Sequence, residues 1–257
     1  VRGGGDLGSG VARRLHLAGF HVMVLERPDP RVVRRAVAFA SAVWAGEVEV
    51  EGVRGRLVPA PEPRRGDHVA VLVDPEGASL GVWAPRVIVD ARMRKRPPRD
   101  TRPDQAPLVV GLGPGFEVGV HVHAVVETAR GHDLGRVLWA GAAAANTGVP
   151  GEVMGYRQER VLRAPAAGVW APAVAIGEPV RAGQEVGRVD ASPVTAAIGG
   201  VVRGLLRGGL EVREGEKLGD VDPRGERRHC FTVSDKANAV AGGVLEAVLA
   251  RYPWGSA

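Results

Sequence analysis

The stretch Gly3-Gly4-Gly5-Asp6-Leu7-Gly8-Ser9-Gly10, continued by Val11-Ala12-Arg13-Arg14-Leu15-His16-Leu17-Ala18-Gly19-Phe20 and Val22-Met23-Val24-Leu25-Glu26, decides how the chain is read. It spells strand end, glycine turn, helix, glycine stop and second strand. Gly3, Gly5 and Gly8 fall on the G-x-G-x-x-G spacing, where glycines permit a tight turn, close backbone approach to a phosphate and close helix packing. Glu26 closes the second strand, where a carboxylate accepts hydrogen bonds from a ribose hydroxyl. Asp6 opposes this reading by placing a negative charge in a loop meant for an anion; its alternative role is the N-cap of the helix, which carboxylates fill well. A bound nucleotide or dinucleotide and a purely structural glycine turn both remain open. The sequence opens at Val1-Arg2 without an initiator Met, so the first strand is expected to begin upstream, and no signal peptide is visible.

Downstream, a helix is predicted from about Pro30 to Trp44, with Val33, Val37 and Val43 on its apolar face. Three β-rich segments follow: Glu47 to Val53, which alternates, and the nearly continuous apolar runs His68 to Asp74 and Arg86 to Asp90. Continuous runs suit parallel strands buried on both faces. Asp74 and Asp90 end such runs, where open α/β sheets place ligand contacts, although a terminal Asp more often caps a turn. The cluster Arg92-Met93-Arg94-Lys95-Arg96-Pro97-Pro98-Arg99 is either an anion clamp or a solvated loop.

A second glycine loop, Gly111-Leu112-Gly113-Pro114-Gly115, follows the apolar Pro107 to Val110, but Pro114 lacks a donor. His121 and His123 share one face of an extended segment. With Glu127 or His132 they form a conceivable metal set, yet neither a Cys/His quartet nor an H-E-x-x-H helix is present, so a hydrogen-bonded or ligand-contacting pair is expected and no metal is assigned.

An internal repeat with an offset of 32 residues relates Gly168, Gly183 and Gly187 to Gly200, Gly215 and Gly219, within valine-rich strands. A short β unit duplicated once predicts two similar facing sheets. This resembles the barrel-sandwich hybrid of biotinyl and lipoyl carrier domains. The junction Asp190-Ala191-Ser192-Pro193 carries no lysine to modify, so docking or scaffolding is the reading there. Beyond it, Ser234 or Asp235 opens a helix with Val240, Val244, Leu245 and Val248 on one face. Cys230 sits beside His229 and two arginines, a setting that favours a thiolate nucleophile or chalcogen carrier, against the alternative of a small buried apolar residue.

At 257 residues, with 45% hydrophobic and 25% charged residues, the chain is one large or two modest domains, and no apolar run approaches the ~18 residues of a membrane span. One cysteine forms no internal disulfide, and a cytoplasmic protein is expected. The net charge of +5 permits nucleic-acid binding, but 4% aromatics, none inside the arginine cluster, argue against it.

The Gly3-to-Glu26 unit, the stretch Ala106 to His123, Glu127-Thr128-Ala129-Arg130-Gly131-His132, Asn146-Thr147-Gly148-Val149-Pro150-Gly151 and Gly219 through Cys230 together resemble the accessory proteins of selenium-dependent molybdenum hydroxylase systems. The N-terminal unit is also similar to xanthine dehydrogenase maturation factors. The expected class is α/β: a Rossmann-like parallel sheet region at 1–157 with the second glycine loop, a barrel-sandwich hybrid at 158–225 and a helical segment at 226–257. The resemblance implies a maturation factor that binds a nucleotide or a molybdopterin-type cofactor and partners a molybdenum hydroxylase subunit, with Cys230 assisting sulfuration or selenation. Gly3, Gly5, Asp6, Gly8, Glu26, Gly111, Gly113, Gly115, His121, His123 and Arg130 are the candidate cofactor contacts. The identity of the cofactor, turnover and homo-oligomerisation are left open; an NAD(P)-dependent oxidoreductase and a non-catalytic docking scaffold are the alternatives.

Overall fold

The computed structural model describes residues 1–94 and 100–253. Its helices are α1 (Asp6–Leu17), the single turns α2 (Ala42–Ala45), α3 (Leu80–Trp83) and α4 (Arg228–Phe231), and α5 (Asp235–Arg251). The chain divides into two compact units, one of Val1–Pro30, Ala38–Thr147 and the described residues from Val233 on, the other of Arg31–Val37 and Gly148–Thr232.

The first unit contains β1 (Met23–Glu26), β2 (Glu47–Val50), β3 (Val53–Leu57), β4 (His68–Val73), β5 (Val87–Asp90), β6 (Leu108–Leu112), β7 (Ala124–Val126) and β8 (Val137–Leu138). These form two four-stranded arrays, β1-β4-β3-β2 and β5-β6-β7-β8. Arg2 joins them, bridging in parallel to Leu25 on one side and Asp90 on the other. The inner pairs β1/β4, β3/β4, β5/β6 and β6/β7 are parallel, while β2/β3 and β7/β8 are antiparallel. The class is therefore α/β with mixed sheets. The valine runs predicted as doubly buried strands are the inner ones, with Val69, Val71, Val89, Val109 and Val110 essentially inaccessible.

Two local expectations are corrected. Residues 47–53 are not one strand: β2 turns back into β3 through Glu51 (φ 43°) and Gly52 (φ 78°), a two-residue hairpin of left-handed residues. Nor is Pro30 to Trp44 a helix; it breaks into two 3₁₀ turns, Arg35–Val37 and Phe39–Ser41, before α2. Its backbone groups are engaged elsewhere. Phe39 N–H donates to Ser9 Oγ and Ala40 N–H to the Gly4 carbonyl, while the Val33 carbonyl accepts from Leu205 N–H.

The second unit carries β9 (Val161–Arg163), β10 (Gly168–Pro172), β11 (Pro179–Val180), β12 (Glu185–Val189), β13 (Ser192–Thr195), β14 (Gly200–Leu205), β15 (Glu211–Val212) and β16 (Lys217–Asp222). Its sheets are β13-β12-β10-β15 and β11-β14-β16-β9. Shifting the first sheet by one repeat length maps β10 onto β14 and β12 onto β16, so the sequence duplication is a structural one. Gly168 and Gly200 share φ of 154° and 153°, and Gly183 and Gly215 share 81° and 74°. A Cβ on Gly187 would lie 2.6 Å from the Ala171 carbonyl oxygen, and one on Gly219 2.6 Å from that of Gly204. Trp170, Val186, Val202, Leu205, Leu218 and Val221 fill the core between the sheets.

In the first unit α1 packs against α5 through small residues: a Cβ on Gly10 would sit 3.0 Å from Ala237 Cβ. A Cβ on Gly8 would overlap the Gly3 carbonyl oxygen, which neither turn nor helix can yield. Gly8→Ala is expected to destabilise by more than about 3 kcal/mol in urea denaturation. Gly242→Ala, with open space around the added carbon, should be neutral or stabilise by up to about 1 kcal/mol.

Candidate functional site

Gly3 leaves the sheet at its middle, between β1 and β5, with φ of 95°. Its N–H donates to the Leu25 carbonyl, and α1 begins three residues later. Gly5 is the N-cap of α1, and Asp6 is the first helical residue, with no side-chain cap bond at this end. The capping role offered for Asp6 is therefore not the one it has. One Glu26 oxygen, Oε2, accepts from Gly4 N–H at 2.8 Å and the other, Oε1, from Arg27 N–H at 2.8 Å. The structure thus brings Gly3, Gly5, Gly8, Asp6 and Glu26 to one turn. Its glycines also have internal reasons: a Cβ on Gly3 would come within 3.2 Å of the Arg92 backbone, and one on Gly4 within 2.8 Å of Ala40 N.

Beside the turn lies a buried ionic network. Asp90, at the end of β5, is 1% exposed and accepts from Arg92 Nε and Nη2 and, at 2.6 Å, from Thr101 Oγ1. Arg92 Nη1 donates to Asp100 at 2.6 Å, and Arg2 Nη2 to the same carboxylate at 2.7 Å. Burial works to raise the Asp90 pKa, but the hydrogen bonds and charge of Arg92, with Thr101, hold it below the ordinary carboxylate range. Asp100 is depressed in the same way, by Arg92, Arg2 and Arg94 against burial. Arg92 is thus committed to internal carboxylates and is neither a free clamp nor a solvated side chain. Lys95, Arg96 and Arg99 of the same cluster lie outside the described residues. Asp74 closes its own turn, accepting from Gly77, Ala78 and Ser79 N–H.

The second glycine loop folds against its own chain. A Cβ on Gly111 would strike the Phe116 ring, and one on Gly113 (φ 72°) would strike Thr128 Oγ1. Gly115 also has positive φ, 98°. His121 Nδ1 accepts from Glu117 N–H and His123 Nδ1 from Val109 N–H, so each ring secures a loop. Glu127 is 5% exposed and accepts from Thr128 and Ala129 N–H at 2.6 Å each and from Ala144 N–H at 2.7 Å. Among the described residues no group of three His, Cys, Asp or Glu is placed to hold a metal. Arg130 forms a two-pronged exposed pair with Asp235, at 2.6 and 3.2 Å.

Cys230 belongs to the second unit. Its thiol is fully buried and donates to the Val202 carbonyl at 3.6 Å. Burial pushes the thiol pKa up; the positive charges that act on it are Arg34 and Arg203, not the His229 and arginines next to it in sequence, and they do not reverse the shift. A buried, protonated thiol is the packing residue of the alternative reading rather than an accessible nucleophile.

One feature of the first unit had no signal in the sequence. Where β1 and β5 begin, a cavity of about 340 Å³ is lined by Leu15, Phe20, His21, Met23, Trp83 and Val248 among others. Its residues come from four separate stretches, so no local pattern marks them.

No family model matches the chain. YqeB of Escherichia coli K12, described as an uncharacterized protein, is 47% identical over 254 residues, which are 97% of this chain and 47% of that protein. The chain spans about half the length of that curated relative. Three solved structures share smaller parts. An aspartoacylase family protein from Mesorhizobium loti has 18% identity, covering 25% of this chain and 23% of its own, at TM-score 0.23. A succinylglutamate desuccinylase/aspartoacylase from Rhodobacter sphaeroides has 26% identity, covering 24% and 21%, at TM-score 0.21. The ectoine utilization protein EutE (DoeB) from Ruegeria pomeroyi has 14% identity, covering 32% and 27%, at TM-score 0.23.

Two measurements check this geometry. Because Asp90 and Asp100 have lowered folded-state pKa values, their stabilisation is full above the unfolded value of about 3.9 and is lost as pH falls through the folded values. Denaturation midpoints should therefore drop below about pH 4, and Asp90→Asn should cost about 3–5 kcal/mol at pH 7 and flatten that acid decline. Alkylation of Cys230 by iodoacetamide in the native protein should run at least about a hundredfold slower than in urea; equal rates would contradict the burial.

Proposed function

We propose that this chain is a ligand-binding portion of a molybdenum hydroxylase accessory factor, and that it holds a nucleotide, or a nucleotide-bearing molybdopterin-type cofactor, at the Gly3–Gly8 turn. The observation that carries the ligand reading is the placement of Glu26. Its carboxylate ends the strand next to the turn and is oriented by Gly4 N–H at 2.8 Å, with acceptor capacity left over for a ribose hydroxyl.

The sheet supports the reading further. Its order runs outward in both directions from the central residue Arg2, with parallel inner strands; read as a Rossmann-like sheet, it would take its ligands at the carboxyl ends where strand order reverses. On this reading Glu26 takes the ribose and the backbone donors at the start of α1 face the phosphates. A bound molybdenum cofactor would supply the metal chemistry of the partner hydroxylase, while this chain's residues bind and orient it. The two facing sheets of the second unit are read as a barrel-sandwich hybrid that docks a hydroxylase subunit, since the Asp190-Ala191 hairpin has no lysine for a carrier group. The maturation role rests on the family resemblance, and YqeB, 47% identical, is the relative to compare. Chalcogen transfer through Cys230 is left out of the proposal because its thiol is buried and its pKa is raised.

Calorimetric titration of ADP into the full chain tests the ligand reading. Saturable binding is expected, weakened about tenfold or more by Glu26→Gln through loss of a charge-assisted hydrogen bond. No binding at millimolar ADP overturns the reading, and binding of NAD or NADP alone would favour the oxidoreductase.

A further inference from the structure

Among the charges near the start of α1 the first unit holds a cation, Lys236, on which Asp6 acts. The helices α1 and α5 lie side by side and run in the same direction: Ala237 sits against Gly10, and Val248 shares a cavity wall with Leu15. The first turn of α5 therefore stands beside the second turn of α1. Ser234 caps α5, its Oγ accepting from Ala237 N–H at 3.1 Å, which fixes the backbone from which Lys236 projects.

Lys236 is half-buried and makes no hydrogen bond or ion pair among the described residues. Its charged neighbours are Asp6 on α1, Glu127 after β7, Asp235 on its own helix and Arg130. Glu127 spends its carboxylate on three backbone N–H groups, and Asp235 is taken by Arg130. Burial and the Arg130 charge push the Lys236 pKa down from its ordinary range, the mark of a cation with too little compensation. An ammonium in this state gains from an added anion more than a solvated surface lysine would.

We propose that Lys236 contacts the phosphates of a ligand bound at the Gly3–Gly8 turn, so that the site selects di- or triphosphate-bearing molecules over nucleosides. The inference rests on the ligand reading given above. It makes α5, which lies more than 200 residues after the glycine turn in sequence, a second wall of the same site. Lys236 is placed there as a binding residue, and no reaction step is assigned to it.

The test titrates ADP and adenosine separately into the full chain, wild type and the variants Lys236→Gln and Lys236→Arg, with thermal midpoints recorded to confirm folding. Lys236→Gln should weaken ADP by about tenfold or more while leaving adenosine within about twofold, and Lys236→Arg should restore most of the ADP affinity. Equal ADP binding by wild type and Lys236→Gln overturns this inference and leaves the ligand reading standing. An equal loss of adenosine and ADP in Lys236→Gln also overturns it, since that pattern reports altered structure. Failure of the wild type to bind either molecule overturns both.

Discussion

The two halves of the first unit's sheet meet through the backbone of one residue. Arg2 N–H donates to the Val89 carbonyl, the Arg2 carbonyl accepts from Ala91 N–H, and on the other side Leu25 N–H and Gly3 N–H pair with Val1 and Leu25 carbonyls. Everything at the carboxyl edge follows from that seam. The chain must leave the sheet at its centre, immediately turn, and start a helix, so Gly3 adopts a left-handed backbone and Gly8 comes against its carbonyl. The Arg2 side chain, 2% exposed, cannot be solvated and is held by Asp100, Thr101 and the Glu76 carbonyl. A buried guanidinium needs such partners, and the same carboxylate then fixes Arg92 over the turn.

How much of this was legible depends on whether the signal was local. The glycine turn, α1 and β1 are contiguous, so spacing alone placed them. The doubly buried strands were readable because continuous valine runs have few other uses, and the duplication was readable because its glycines serve backbone needs that recur at each copy, as the paired φ values of Gly168 and Gly200 show. The helix expected over Pro30 to Trp44 failed because its apolar spacing was real while its backbone partners were distant: Ser9, Gly4 and Leu205 take the groups that a helix would use. The hairpin at Glu51-Gly52 was missed because Glu at a left-handed position gives no turn signal.

The candidate site shows the same division. Glu26 could be found from its distance to Gly3 because strand, turn and helix form one unit. The commitment of Arg92 to Asp90 and Asp100 could not be read from the arginine cluster, since composition reports charge and not its neutralisation. Cys230 was judged by the charges next to it in sequence, whereas burial against Val202 decides its chemistry. Lys236 gave no signal at all, because its neighbours come from α1, from the segment after β7 and from α5.

Amide hydrogen exchange read by mass spectrometry, with and without saturating ADP, tests the central claim at the place it names. The account predicts new protection confined to peptides covering Gly3 to Ser9, Glu26 and the first turn of α5. Protection that appears instead around Phe20 to Met23 and Trp83, at the cavity where the strands begin, with none at the glycine turn, would contradict it.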